Sequence, residues 1–380
     1  MDGSLPLWVY YVVGFPLLLG PLVTLHELGH YLVGRWFGVG AEAFSIGFGK
    51  ELFGWTDKCG TRWKLSAIPL GGYVQFKGDM NPASMPDPEA LERDDDEPGN
   101  GSFHRASLGK RALIVFAGPF ANLLITLGIF AAFFMFLGKP TAIDADQQLT
   151  IGEFSEVSAA RDAGLQVGDK IIAVGERELT EFADLREEVL IYPGRELQFT
   201  IERDGDRQTL PITVRSVEQE DEFGNVSRIG LIGVMPQAVE YDFVRQGPLT
   251  SAGLAVERTI GMMDMMLTGL GQIITGERSV KELGGPIKIA KYSGEWLSLG
   301  LLAFIEFAAL ISLNLAFINL LPIPALDGGH LAFYAAEAVR RKPVSARGQE
   351  VAFRAGMALV LGLMVFVTIN DLISLPVFGN

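Results

Sequence analysis

Cysteine and histidine are scarce in this sequence: Cys59 stands alone, and only four histidines occur in 380 residues. A single cysteine excludes an internal disulfide and sends any metal site to other ligands. Basic residues are also in deficit, 31 Lys and Arg against 45 Asp and Glu. The resulting formal charge of −14 leaves no basic stripe able to neutralise phosphates, which argues against a nucleic-acid partner. No internal repeat is visible, and that weighs against a transporter that uses buried polar residues as an ion path.

What is abundant is apolar sequence. Hydrophobic residues make up 49% of the chain and mean hydropathy is +0.28, yet 20% of the residues are charged. Membrane spans combined with an aqueous domain account for both. Crossing about 30 Å of hydrocarbon takes roughly eighteen or more apolar residues in a helix. Such runs lie at 5–25, 112–137, 297–321 and 351–369. The first has no basic segment ahead of it and enters His26-Glu27 without a small-residue cleavage site, so it reads as a span and not as a cleaved signal peptide. Lysines and arginines crowd the loop after the first run (Arg35, Lys50, Lys64, Lys110, Arg111) and the loop before the last (Arg340, Arg341, Lys342, Arg347). The positive-inside rule then makes both loops cytoplasmic, with the N-terminus, the segment between the second and third runs, and the C-terminus outside.

Between the runs the patterns change. Residues 44–78 alternate (Phe44, Ile46, Phe48, then Trp63, Leu65) around the turn-like Asp57-Lys58-Cys59-Gly60, which predicts a hairpin pressed against the membrane. The proline-rich acidic stretch 79–101 reads as a solvated loop. Residues 149–217 predict short strands and one helix over 182–190, followed by an acidic, partly extended connector. Residues 251–274 form a Met-rich amphipathic helix expected to lie in the outer interface, a fifth crossing being the alternative.

The chemistry concentrates in His26-Glu27-Leu28-Gly29-His30. Two histidines four residues apart share a helix face and reach one zinc ion, and the glutamate between them is placed as general base toward a water whose pKa the metal lowers. Ionisable residues at the edge of a membrane helix are costly and are usually functional. Catalytic zinc takes three protein ligands, and the candidate third is Asp327, in a segment where Pro322 and Pro324 end the third run. The first and third spans run in the same direction, so His30 and Asp327 emerge on the same side. His330 is the rival ligand, with support of Asp327 or the water as its other role. Asn314 and Asn319 are read as sharing a helix face from which they donate to substrate backbone or an oxyanion, or else bond between helices. Glu306 is an intramembrane acid without an assigned role.

These motifs, His26 to His30, Gly71-Gly72-Tyr73-Val74, Ala117-Gly118-Pro119-Phe120-Ala121-Asn122 and Asn319 to His330, occur in the order seen in the site-2 protease family, and the chain closely resembles its bacterial branch of intramembrane zinc metalloproteases. The resemblance implies a polytopic α-helical membrane protein of about four transmembrane helices, with a membrane-associated β-hairpin region and one inserted α+β PDZ domain. It divides the chain into a membrane core with the hairpin (1–140), the PDZ domain (141–217), a connector (218–292) and a second membrane core (293–380). It implies Zn2+ on His26, His30 and Asp327, Glu27 as base, and substrate contacts at Asn319, with the hairpin around Gly71 and Gly72 pairing with an unwound substrate. The implied substrates are single-span membrane proteins, cut in a bacterial inner membrane near its cytoplasmic face, with a periplasmic PDZ domain whose peptide groove lies between the 149–154 strand and the 182–190 helix. The alternative is a non-catalytic membrane receptor or scaffold built around the PDZ domain, which needs no metal.

Overall fold

The computed structural model describes residues 6–78, 101–142, 149–220, 226–237, 241–280, 283–342, 344 and 346–374. Apart from Gly101, the acidic loop expected at 79–101 lies outside them. In chain order the elements are α1 (Leu7–Trp36), β1 (Ala41–Thr56), β2 (Arg62–Phe76), α2 (Leu108–Phe136), β3 (Lys139–Ala142), β4 (Ile151–Phe154) and α3 (Ala159–Asp162). There follow β5 (Lys170–Val174), β6 (Arg177–Glu178), α4 (Phe182–Leu190), β7 (Glu196–Arg203), β8 (Asp206–Thr213), β9 (Arg215–Glu220), β10 (Val226–Leu231), β11 (Val234–Pro236) and β12 (Tyr241–Val244). The chain closes with α5 (Pro248–Thr275), α6 (Pro286–Ser298), α7 (Leu301–Leu320), α8 (Asp327–Arg340) and α9 (Ala346–Ser374).

Among the described residues four helices are long and apolar enough to cross a membrane: Trp8–Trp36, Leu108–Phe136, Leu301–Leu320 and Arg347–Ile373. They match the four runs in number, but their ends differ. Helix α1 continues eleven residues past Leu25, because the polar His26 to His30 stretch turns toward other protein segments and stays helical. The third span starts later than residue 297, since Gly300 at φ +113° separates α6 from α7. Helix α5 is not among the four.

The chain divides into two compact units, Met1–Phe130 with Leu283–Asn380, and Ala131–Glu282. In the first, α1 and α6 touch backbone to backbone: a Cβ on Gly14 would lie 2.8 Å from the Ser293 carbonyl oxygen, and one on Gly294 would run into Tyr11. Small residues permit such approach where no water drives helices together. Helix α9 is fastened to the same layer by Asp371, a fully buried carboxylate that accepts from the Gly285 and Lys288 N–H groups at 3.1 and 3.0 Å and so caps α6.

The β1–β2 hairpin is more folded than a simple ribbon. Segment 43–46 pairs with both halves of β2, Ser45 facing Tyr73 on one side and Lys64 on the other, while 51–56 pairs only with 62–66. Both strands therefore bend, and the spatial order becomes 72–76, 41–48, 62–68, 51–56, with 72–76 as one edge. The turn is held by Asp57, which accepts from the Trp63 indole at 2.9 Å and from the Cys59 and Thr61 N–H groups. Those donors, the indole first, hold its carboxyl below the usual range even though desolvation opposes them.

The second unit has a four-stranded antiparallel sheet in the order β6-β5-β7-β8, packed with α3 and α4 around Ile171, Leu185, Phe199, Ile201 and Ile212. Expected to end at Val217, this unit also takes in Ile232 as core, Val234 packed against it, and β11 as an antiparallel partner of β4. The sequence carried no sign of it, because a three-residue strand has no periodicity to read. Strand β4 pairs with β11 on one side, and on the other Ile151 donates to the Asp169 carbonyl and accepts from the Gly168 N–H.

Asp169 anchors the loop that enters β5. It is buried, accepts two bonds of 2.6 Å from the Arg203 guanidinium and one of 2.7 Å from the Gln166 N–H. Burial alone would push its carboxyl up, but these donors outweigh that and hold it below the usual range. A depressed folded-state pKa contributes stability above the ordinary carboxylate value, and this is lost as pH falls through the folded value. Asp169→Ala is expected to weaken the unit, because the Gln166 N–H loses its acceptor and Arg203 keeps only its bond to the Gly164 carbonyl. Hydrogen exchange of the β7 amides in the full-length protein measures it; unchanged protection would count against the account.

Candidate metal centre

The first two residues of interest lie one turn apart on α1. Their imidazoles meet edge to face, ring centres 4.9 Å apart, and His26 Nε2 lies 3.2 Å from His30 Nε2. The third comes from the far end of the chain. After α7, Pro322 and Pro324 cannot continue a helix, Ala325 takes φ +88°, and the chain doubles back. Gly328 and Gly329 make the reversal possible, since a Cβ on either would fall on the backbone of 320–324. Asp327 thereby becomes the first residue of α8, an end that favours a carboxylate, with Oδ2 at 3.2 Å from His26 Nε2 and Oδ1 at 3.5 Å from His30 Nε2. An ion pair between Arg111 and Glu337 at 3.0 Å, with Arg111 over the Tyr334 ring, ties α8 to the start of α2.

These distances test the metal. Zinc bonds of about 2.0–2.1 Å in a tetrahedron place ligand atoms roughly 3.3 Å apart. The three separations of 3.2, 3.2 and 3.5 Å fit that edge, and two imidazoles with one carboxylate are a donor set for catalytic zinc, with one corner left for water or substrate. Among the described residues this is the one group of three metal-capable side chains brought together. Helix α2 backs it closely. His30 Nδ1–H donates to the Ile114 carbonyl at 2.8 Å, which leaves Nε2 free to bind, and a Cβ on Gly118 would collide with both imidazoles.

The group opens into a cavity of about 210 Å3 lined also by Glu27, Gly72, Tyr73, Val74, Asn319 and His330. Glu27 takes a bond from the Val74 N–H, so the 72–76 edge of the hairpin holds the carboxylate in place. Asn319, Gly72 and His330 all line this cavity. Asn314 does not: it lines a separate, mainly apolar cavity with Phe15, Leu19 and Ile311. Five residues turn a helix by about 500°, which leaves Asn314 some 140° from Asn319 and not on its face. Gly71 packs instead against Phe48, and Glu306 lines neither cavity. Gly118, Asn122 and Asp371 carry no sequence signal of a role beyond the four-residue spacing of the first two.

Comparison with known proteins agrees with this geometry. A sequence model described as Peptidase family M50 matches residues 14–363. The chain belongs to peptidase family M50. A protein of Agrobacterium fabrum provisionally named a zinc metalloprotease is 44% identical over 367 residues, 96% of each chain. A Rhizobium meliloti protein with the same provisional name is 41% identical over 96% of each chain. Metalloprotease MmpA of Caulobacter vibrioides is 36% identical over 97% of this chain and 96% of its own. This M50 peptidase is a zinc metalloprotease, which replaces the metal-free receptor and the transporter readings, and its four long apolar helices make it a membrane protein.

Proposed function

We propose that this M50 peptidase cuts single-span membrane proteins within the bilayer, the second cut of a regulated sequence, with His26, His30 and Asp327 as zinc ligands and Glu27 as general base. The observation that carries the reading is that both histidines lie within a candidate membrane span, Trp8–Trp36, so a peptide bond reaching them has to come out of lipid.

Bound there, zinc would supply Lewis acidity toward water and the scissile carbonyl. Glu27, beside the ligands and fixed by the Val74 N–H, takes a proton from water and returns it to the leaving amine. Asn319 donates to the carbonyl oxygen as charge grows on it. A helical substrate has no free backbone bonds, so it must unwind to be cut; the 72–76 edge of the hairpin, reached through Gly71 and Gly72, offers strand pairing to the unwound stretch. Asn314 contacts the substrate helix away from the cut. We place the site toward the cytoplasmic face of a bacterial inner membrane, on the strength of the basic loops.

The second unit is read as a periplasmic PDZ domain. Its sheet and two helices support this, and a ligand strand would add to β11, whose other edge has no strand partner among the described residues. A Cβ on Gly230 would fall on the Val189 carbonyl, so the end of β10 lies against the end of α4.

The test is reconstitution of the purified protein with a labelled single-span substrate in vesicles, followed by mass mapping of the products. Cuts within the substrate's apolar segment are expected. Cuts confined to its aqueous tails would overturn the intramembrane reading while leaving the metalloprotease intact.

A further inference from the structure

Each histidine of the cluster has two ring nitrogens, and only the one without a proton can bind a metal. Nε2 of His26 points at the cluster, 3.2 Å from both His30 Nε2 and Asp327 Oδ2. The proton must then sit on Nδ1, which needs an acceptor. Among the described residues the one group within hydrogen-bond distance of that nitrogen is the side-chain amide of Asn122, 3.2 Å away. Asn122 is fully buried on α2, and with its nitrogen turned to the imidazole its oxygen Oδ1 is left without a partner. An amide NH2 cannot accept a proton, whereas the oxygen can, and a half-turn of the amide exchanges the two.

We infer that Asn122 is a positioning residue for zinc: its side-chain oxygen accepts from His26 Nδ1–H and holds the imidazole in the form that presents Nε2 to the metal. The inference rests on the reading of His26 as a ligand. It makes α2 the support of both histidines, the Ile114 carbonyl serving His30 and the Asn122 amide serving His26. The two supports are eight residues apart on one helix, and Gly118 midway between them is what lets the imidazoles come that close. Asn122 is otherwise held by its backbone, whose carbonyl accepts from Thr126 and Ser312, so the side chain is committed to the imidazole alone.

The measurement is zinc affinity of the purified full-length protein by competition with a chelator. Asn122→Leu keeps the volume but has no acceptor, and is expected to bind zinc about 10–100-fold more weakly. Asn122→Asp restores an acceptor and is expected to bind at least as tightly as the wild type. A packing role predicts the opposite order, because a buried carboxylate would be worse tolerated than leucine. Equal affinity in all three proteins, or equal losses in both variants, overturns the inference. Should the leucine variant not fold, nitrogen-labelled histidine in the zinc-loaded wild type decides: an Nδ1-bound proton on His26 is expected, and its absence overturns the proposal. If His26→Ala binds zinc as well as the wild type, the ligand reading itself has failed; if His26→Ala loses zinc and Asn122→Leu does not, only the role of Asn122 has.

Discussion

Glu27→Gln is expected to keep zinc at the wild-type level and to lower cleavage of a reconstituted single-span substrate by about 10^2–10^4-fold. The substitution preserves shape and the capacity to accept the Val74 N–H, because an amide oxygen replaces a carboxylate oxygen. It removes the one function a neutral amide cannot perform, which is to take up a proton. Glu27 is not among the three side chains whose ligand atoms meet, so metal content should be insensitive to it. Metal analysis and cleavage, measured on the same preparation, separate the two properties. A variant that cleaves at the wild-type rate removes Glu27 from the mechanism, and one that loses its metal makes Glu27 part of the binding site.

Asp327→Ala should have the complementary effect, loss of metal followed by loss of activity. The weakening is expected to exceed the roughly 10–100-fold typical of removing a supporting residue, since a ligand is deleted outright. Charge adds to the loss of the bond. Two neutral imidazoles and a carboxylate bring a divalent ion down to a single net charge, whereas the imidazoles alone leave both charges in a buried, lipid-bounded setting. The result to look for is zinc stoichiometry well below one after dialysis, with the helices still present by circular dichroism. Retention of one zinc per chain would show that some other group, His330 being the neighbour in the cavity wall, completes the site.

The sequence reading and the structure part company in ways that have physical causes. The His26 to His30 spacing is local, and one turn of helix brings the two imidazoles together whatever surrounds them. Pro322 and Pro324 likewise act on their own backbone, so the break after the third span could be foreseen. The misplaced features depend on neighbours. Asn314 and Asn319 are the exception: helical period alone sets them about 140° apart, and they open into separate cavities. The extent of the second unit was underestimated because β11 is a strand only through its pairing with β4. Asn122 was visible within a motif but silent, for an asparagine in an apolar helix says nothing about which distant group it will meet.

What the amino-acid order settled unaided is the set of features encoded within a few residues: the number of apolar runs, the paired histidines with Glu27 between them, the hairpin turn at Asp57, and the break ahead of Asp327. Each is decided by backbone sterics, helical period or length against the thickness of a membrane, which act over a turn or a span. Packing alone decided that Asp327 returns to within 3.5 Å of residues three hundred positions earlier, that α2 lies against the imidazoles at Gly118, and that Glu27 is held by the edge of a sheet. Those contacts arise from the summed fit of many side chains across distant segments, and no single stretch of sequence contains that sum.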